Sequence, residues 1–337
     1  MPIITSPGRI GKLELKNRIL MAPMGPHFGE IGRKAVEYFV KRAEGGAAMI
    51  LVNMMVTDYF EDASSSLVIT EDNFDNFKEI CDRAHNAGCK VCVQLMPGCG
   101  RMAGPAKMYP VPISASACSW LYAPNVKCHE LTTEEIQRLL DETERTVKLT
   151  RAAGADAYEM HAYGGYLNDQ FLTAAWNTRT DKYGGDVRGR ATFLLEQIAA
   201  VRKCAGADVP VMVKFCPDHG VPYPGFRQLD EGIELAKYLE EQGVDALHVD
   251  AGCYEKWQLS MPALFYQEAV MQLKSAKAVK ENVGIPASTI TAQVLIIGTS
   301  EKRKRASTEA LFENNVSREG CQALSLILRI IAHIILS

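Results

Sequence analysis

Short, almost unbroken apolar runs recur along the chain: RILMAPM (18–24), AMILVNM (48–54), CKVCVQL (89–95), AYEMH (157–161), VPVMVKF (209–215) and ALHVDAG (246–252). Each is too short for a typical helix. Each is also too uniformly apolar for a strand with one wet face. The pattern predicts strands covered on both sides.

Between these runs the period changes to that of a helix. FDNFKEICDRAHNAG (74–88), TTEEIQRLLDETERTVKLTRAAG (132–154), GRATFLLEQIAAVRKCAG (189–206) and DEGIELAKYLEEQG (230–243) each carry an apolar stripe and end on Gly. The longest opens on a Thr cap followed by acids, and its stripe runs through Ile136, Leu139, Leu140, Thr143 and Val147. Buried strands alternating with amphipathic helices predict parallel β/α units. No GxGxxG turn follows the first strand. A (β/α)8 TIM barrel is therefore favoured over a dinucleotide-binding fold. In a barrel, chemistry belongs on the loops after the C-terminal ends of the strands.

Composition narrows the function classes. The 337 residues are 47% hydrophobic and 23% charged, with a formal net charge of -3. That is ordinary globular composition, and it gives no sign of a nucleic-acid partner or an anionic membrane surface. The start, MPIITSPGRIGKLELKNRI, lacks the apolar core of a signal peptide. With ten cysteines and no such signal, reduced thiols and a cytoplasmic location are expected. Cys89 and Cys92 form a CxxC, but on a strand positions i and i+3 face opposite ways. No His and carboxylate cluster stands at the strand ends beyond His161 and Asp250, so no metal site is assigned. The terminal LSLILRIIAHIIL is too short, and too interrupted by Arg329 and His333, to span a bilayer.

The stretch HAYGGYLNDQFL, His161–Leu172, is the main chemical candidate. His161 ends a strand and Tyr166 lies in the loop after it. An imidazole there can stabilise negative charge on a carbonyl oxygen, and a phenol can give a proton. Gly164 and Gly165 leave room beside the backbone. On their own, these residues read more simply as a core histidine and a half-buried loop tyrosine. Other strand ends converge on the same mouth: Ala22 to Gly25, Gln94 and Arg101, Lys214, and then Tyr254 with Trp257. A Gln amide and a Lys beside small backbone positions suit a planar heterocycle rich in acceptors.

Three segments carry a resemblance: GKLELKNRILMAPM, QLMPGCGR and, above all, HAYGGYLNDQFLTAAWNTRTDKYGGDVRGR (161–190). Together they resemble the old yellow enzyme family of flavin-dependent reductases. The likeness is strongest to its anaerobic bacterial NADH:flavin oxidoreductase branch, which contains 2,4-dienoyl-CoA reductase, 2-enoate reductase and bile-acid-inducible reductases. The resemblance covers about residues 1–286. It implies FMN as cofactor and NADH as electron donor. It implies that Ala22, Pro23 and Met24 lie against the flavin ring, that Gln94 bonds its pyrimidine edge, and that Lys214 sits near N1 and O2. His161 would hold the substrate carbonyl and Tyr166 would protonate the alkene. Many relatives carry Asn or His where this chain has Gly164, so the resemblance implies that a second donor to the carbonyl is missing; Tyr254 is the candidate replacement. Tyr254 and Trp257 would line the substrate site. The run Asn177–Arg190 is expected to be a structural connection.

After Pro286 the resemblance stops. The sequence reading divides the chain into an FMN-binding barrel, 1–286, and an atypical tail, 287–337, with the barrel incomplete after the seventh strand. VLIIGT follows IPAST too closely to leave room for a helix between parallel neighbours. An open barrel would expose strand edges and be poorly stable. The basic run Lys302–Arg305 is not the family's phosphate turn. The four-cysteine iron–sulfur motif of the long relatives is absent, since Cys321 alone follows Cys253. A shifted reading frame near codon 287 is favoured over a genuine short variant.

The expected function is reduction of the C=C bond of an α,β-unsaturated carbonyl: an enoate, an enoyl-CoA or a 3-oxo-4-ene steroid. The alternatives are an NADH oxidase or electron-transfer flavoprotein, and a truncated inactive remnant. The expected partner is a small molecule, and a homo-oligomer stays open.

Overall fold

The computed structural model describes residues 3–61, 66–256, 271–291 and 294–297. Eight strands form one closed ring. In chain order they are β1 (Ile19–Met24), β2 (Met49–Met55), β3 (Lys90–Met96), β4 (Ala157–Ala162), β5 (Val211–Phe215), β6 (Ala246–Val249), β7 (Ala287–Thr291) and β8 (Val294–Ile297). The first six match the six apolar runs to within a few residues. Every residue of β2 and β4 is buried, as a strand covered on both faces requires. The expected TIM barrel is the fold.

A helix follows each of the first six strands: α1 (Arg33–Glu44), α2 (Phe74–Asn86), α3 (Thr133–Ala153), α4 (Thr192–Ala205), α5 (Leu229–Glu241) and α6 (Met271–Asn282). Their apolar stripes cover the outside of the ring, burying Phe39, Phe77 and Phe193 completely. Each such ring contributes about 1.5–3 kcal/mol through area removed from water. α3 begins with a capping box between Thr132 and Glu135 and ends at Gly154 with φ +116°, as its sequence signals required.

The alternation of strand and helix stops after β7, where the sequence placed the end of the regular barrel. β7 still runs parallel to β6. β8 turns back antiparallel to β7 and also pairs antiparallel with β1. Only residues 292 and 293 separate the two strands, a spacing that suits an antiparallel pair and excludes a parallel one. The ring therefore closes without an eighth helix, and neither β7 nor β1 is left as the open edge that the sequence led us to expect. Ala287–Thr291 and Val294–Ile297 belong to the ring, beyond the Pro286 boundary. Residues 298–337, with the basic run and the terminal apolar segment, lie outside the described residues.

A hairpin, Gly8–Ile10 with Leu13–Leu15, closes the lower end. Its Ile10 and Leu15 pack into the ring against Leu20, Leu51, Cys92, Ala157, Met212 and Ala246. Alternation along a strand makes these the inward positions, so residues two further on also point inward. Cys92 lies inside this floor, whereas Cys89 packs in the layer between ring and helices. The CxxC pair is thus split between faces. Among the described residues, no helix is long and apolar enough to cross a membrane.

Candidate active site

Above the apolar floor the inward positions turn polar. Asn53, Gln94 and Glu159 stand side by side on β2, β3 and β4. Asn53 Nδ2 donates to Gln94 Oε1 at 2.7 Å, and Gln94 Nε2 donates to Glu159 Oε2 at 2.6 Å. His248 on β6 meets the other Glu159 oxygen through Nδ1 at 2.9 Å. A carboxylate only accepts, so His248 carries its proton on Nδ1. Its Nε2 is buried with no partner among the described residues. Gln94 is thereby oriented from both ends and keeps one N–H and one lone pair unused by these bonds.

Around the ring, His161, Lys214 and His248 are lateral neighbours on β4, β5 and β6. Lys214 Nζ lies 3.1 Å from Asp250 and 4.6 Å from the centre of the Tyr163 ring. His161 is 8% exposed, and its Nδ1 is buried without a hydrogen-bond partner among the described residues. Burial first, and then the Lys214 cation, hold its pKa down to about 4, so the ring is neutral at pH 7. The Tyr166 ring stands edge-on to it, 4.8 Å between centres at 87°. The hydroxyls of Tyr166 and Tyr254 are 3.2 Å apart. Burial, and then Tyr254, push the Tyr166 phenol well above its ordinary range, so it stays protonated.

The glycines have definite jobs. Gly164 has φ +75°, and a Cβ there would meet the Tyr166 ring at 3.4 Å and Tyr254 at 3.7 Å. The tyrosine pair occupies the side of Gly164 where a longer side chain would project. Gly165 has φ +86° and donates its N–H to Asp169 Oδ2 at 2.9 Å. Its carbonyl accepts from Gln170 Nε2 at 2.6 Å, and Asn168 Nδ2 donates to the His161 carbonyl at 3.0 Å.

Asp169 anchors this loop. It is fully buried between His219 Nε2, at 3.2 Å, and Arg227, at 3.0 Å. Burial alone would raise its pKa, but the His219 and Arg227 charges outweigh that and hold it down to about 2. Sequence reasoning missed this trio, because its members lie 50 and 58 residues apart. It also missed Met55 and Met96, which end β2 and β3 and pack with Tyr166. A further buried acid, Glu61, accepts from the N–H groups of Cys99, at 2.6 Å, and Gly100, at 2.7 Å. Burial pushes its pKa up to about 7.

The structure thus brings His161, Tyr166, Lys214 and Tyr254 into one group and ties Gln94 to His248 through Glu159. Ala22, Pro23 and Met24 end β1 at the same end of the ring, with Pro23 and Met24 half-buried. Arg101 is instead buried outside this group. Its Nε donates to the Ser119 carbonyl at 2.8 Å, it pairs with Glu255, and its guanidinium lies 5.3 Å from the Trp176 ring centre. Trp257 lies outside the described residues. The Asn177–Arg190 run is a connection tied down by its polar side chains. Asn177 donates to the Phe171 and Tyr183 carbonyls, Arg179 to those of Ala115 and Leu131, and Arg190 reaches Glu231 at 2.6 Å.

The model of the NADH:flavin oxidoreductase / NADH oxidase family matches residues 4–299, through the closing strand. The chain belongs to this family. It is 34% identical over 312 residues to a cinnamate reductase from Clostridium sporogenes, covering 85% of this chain and 47% of that protein. It is 33% identical over 302 residues to an NADH oxidase from Thermoanaerobacter brockii, covering 86% of this chain and 45% of the relative. The chain thus spans about half the length of these relatives. An old yellow enzyme homologue from Zymomonas mobilis superposes with TM-score 0.68 at 23% identity, covering 92% of this chain and 86% of that one. This last likeness shows the shared barrel.

The family implies a flavin. A planar, acceptor-rich ring needs donors on its edge, a cation near its electron-rich side and little bulk beside the backbone. Gln94 keeps an N–H, Lys214 supplies the cation, and a Cβ on Gly25 would meet no atom within 4 Å. Two buried imidazole nitrogens, His161 Nδ1 and His248 Nε2, also await partners. These residues fit such a ring.

Proposed function

We propose that this chain forms an FMN-binding barrel that reduces the C=C bond of an α,β-unsaturated carbonyl with electrons from NADH. The observation that carries this reading is the neutral His161 edge-on to a protonated Tyr166 at the barrel mouth. Ala22, Pro23 and Met24 would flank the flavin ring, with Gln94 and Lys214 on its pyrimidine side. When bound, FMN supplies the hydride for the β carbon.

The protein's own residues do the rest. His161 donates an N–H to the substrate carbonyl, where negative charge grows as the bond is reduced. One such donor is worth roughly 10²–10³ in rate. Because His161 is neutral, it gives up no proton to the oxygen. The proton for the α carbon comes from Tyr166. Tyr254 is 39% exposed and hydrogen-bonded to Tyr166, so it offers a path for reprotonation from solvent. The incomplete clamp opposite Gly164 leaves His161 as the donor on the carbonyl. Tyr163 and Tyr254 give the mouth an aromatic lining that accommodates an enoate, an enoyl-CoA or a 3-oxo-4-ene steroid.

The likeness to an NADH oxidase favours a second reading, in which electrons pass to oxygen or another acceptor. Tyr166→Phe separates the two. Cinnamate reduction is expected to fall by about 10²–10⁴-fold, with NADH oxidation by oxygen kept. Equal loss of both would remove Tyr166 from the role assigned here. A visible spectrum with added FMN, bleached by NADH without oxygen, tests the cofactor. A protein that stays colourless in excess FMN would make the chain an inactive remnant.

A further inference from the structure

The excursion between β3 and α3 holds a pair of cysteines that the reductase reading does not use. Ser119 and Lys127 form an antiparallel bridge. On one side of it Trp120 N–H donates to the Val126 carbonyl at 3.0 Å, and on the other Cys128 N–H donates to the Cys118 carbonyl at 2.9 Å. Cys118 and Cys128 are therefore directly opposed beside this isolated bridge, with side chains on one face. Opposed residues of this kind have Cα atoms about 5.5 Å apart, within the roughly 4.4–6.8 Å that a disulfide spans. Both are free thiols, Cys128 buried and Cys118 half-buried.

We propose that Cys118 and Cys128 form a reversible dithiol–disulfide couple that exchanges with low-molecular-weight disulfides, Cys118 attacking and Cys128 resolving. The division of labour follows from the surroundings. The Cys128 thiol beside it, against burial, holds Cys118 down to about 7, and the Arg101 charge acts in the same direction; Ser114 Oγ lies 3.1 Å from Cys118 Sγ. Cys128 is pushed up by that same pairing and by burial. At neutral pH a substantial share of Cys118 is thus thiolate while Cys128 stays a thiol. Burial pushes Cys81 and Cys89 up to about 12 and also raises Cys92, Cys99, Cys216 and Cys253.

The exchange balances in two steps. The Cys118 thiolate attacks one sulfur of an external disulfide, forming a mixed disulfide and releasing one thiolate. Cys128 then loses its proton and attacks Cys118 Sγ, expelling the second external thiolate. Two protein thiols are oxidised and one external disulfide is reduced to two thiols.

The pair is wired to the mouth. Ser114 Oγ, next to Cys118, donates to Gln170 Oε1 at 2.7 Å, and Gln170 holds the Gly165 carbonyl just before Tyr166. Closing the disulfide would act on the loop that carries Tyr166.

The test treats the full chain with oxidised glutathione and maps its peptides by mass spectrometry. A Cys118–Cys128 linked pair, lost on reduction, is expected. Cys128→Ser should stop at glutathione on Cys118. In Cys118→Ser, uptake at Cys128 should be more than about tenfold slower than uptake at Cys118 in the parent. Glutathione held stably on Cys118 of the parent with no linked pair, or reaction appearing first at half-buried Cys204, would overturn the proposal. The parent mapping needs no substitution, so a variant that fails to fold cannot decide the outcome.

Discussion

The two ends of this barrel are held by different forces. The floor is apolar: Ile10, Leu15, Leu20, Leu51 and Met212 fill it, each at most 2% exposed. Its stabilisation is area removed from water, with no charge pair to titrate or screen. The mouth buries Glu61, His161, Asp169, Lys214, His219, Arg227 and Asp250. Each of these carries a desolvation cost that its partners must offset. The contrast explains where rigidity and reactivity sit. The floor and the outer helices stabilise the ring, and this permits fixed charges and dipoles at the other end, aimed where negative charge develops in reduction.

Removing one group from each end separates these forces. Asp169→Ala leaves Arg227 and His219 without their counter-charge and frees the Gly165 N–H. A loss of about 3–5 kcal/mol in urea unfolding is expected. Asp169→Asn keeps the shape and should still cost most of that, because the charge is what matters. At the floor, Leu20→Ala should cost about 2–5 kcal/mol through a cavity. Leu20→Met, which keeps the volume, should cost less than about 1.5 kcal/mol. If Asp169→Asn proved as mild as Leu20→Met, the mouth would be held by shape like the floor, and the comparison would fail.

The floor and the mouth also differ in how legible they were. Floor positions belong to the apolar runs, so buried strands and β/α alternation led directly to the ring. Local signals reached His161 and Tyr166 as chemistry, and the resemblance gave them roles. Asp169, His219 and Arg227 were not legible, because they come from separate loops that only the closed barrel brings together. The partners of Arg101 were not legible for the same reason: Ser119 and Glu255 are distant in the chain. α1 buries Ala35, Val36, Phe39, Val40 and Ala43 at helical spacing, yet its N-cap is Gly32 with no side-chain bond, so the usual start signal is missing. The short spacing before β8 breaks only the rule for parallel neighbours. An antiparallel return needs no crossover helix, and the chain takes that route.

The pH dependence sharpens the same comparison, since only the mouth titrates. His161 has a folded pKa near 4 against about 6.5 in an unfolded chain. The unfolded chain binds the extra proton between those values. This contribution is therefore complete above pH 6.5 and lost as pH falls toward 4. Glu61 runs the other way. Its folded pKa of about 7 lies above the ordinary 4.5, so its contribution is present below pH 4.5 and lost as pH rises through 7. The two slopes oppose each other between pH 4.5 and 6.5. Replacing His161 by Asn should leave the Glu61 slope exposed. Relative to the parent, the variant should gain about 2 kcal/mol at pH 5 compared with pH 7.5. Parallel pH profiles for parent and variant would mean that His161 is not neutralised by burial, and the neutral donor assigned to it would fall with that result.

Gly164 gives the smallest effect and the finest distinction. Its φ of +75° is the left-handed region, which costs an ordinary L residue roughly 1–2 kcal/mol. The contact a methyl would make with the Tyr166 ring, at 3.4 Å, is close to ordinary van der Waals distance. Gly164→Ala should therefore lose about 1 kcal/mol through the backbone. Gly164→Asn should lose less, because Asn tolerates that conformation. The order discriminates. If Asn costs more than Ala, the packing of Tyr166 and Tyr254 over Gly164 governs this position, and the tyrosine pair is held by a contact as tight as any on the floor. If Asn costs less, the loop needs only the backbone turn, and the pair rests on its own hydrogen bond.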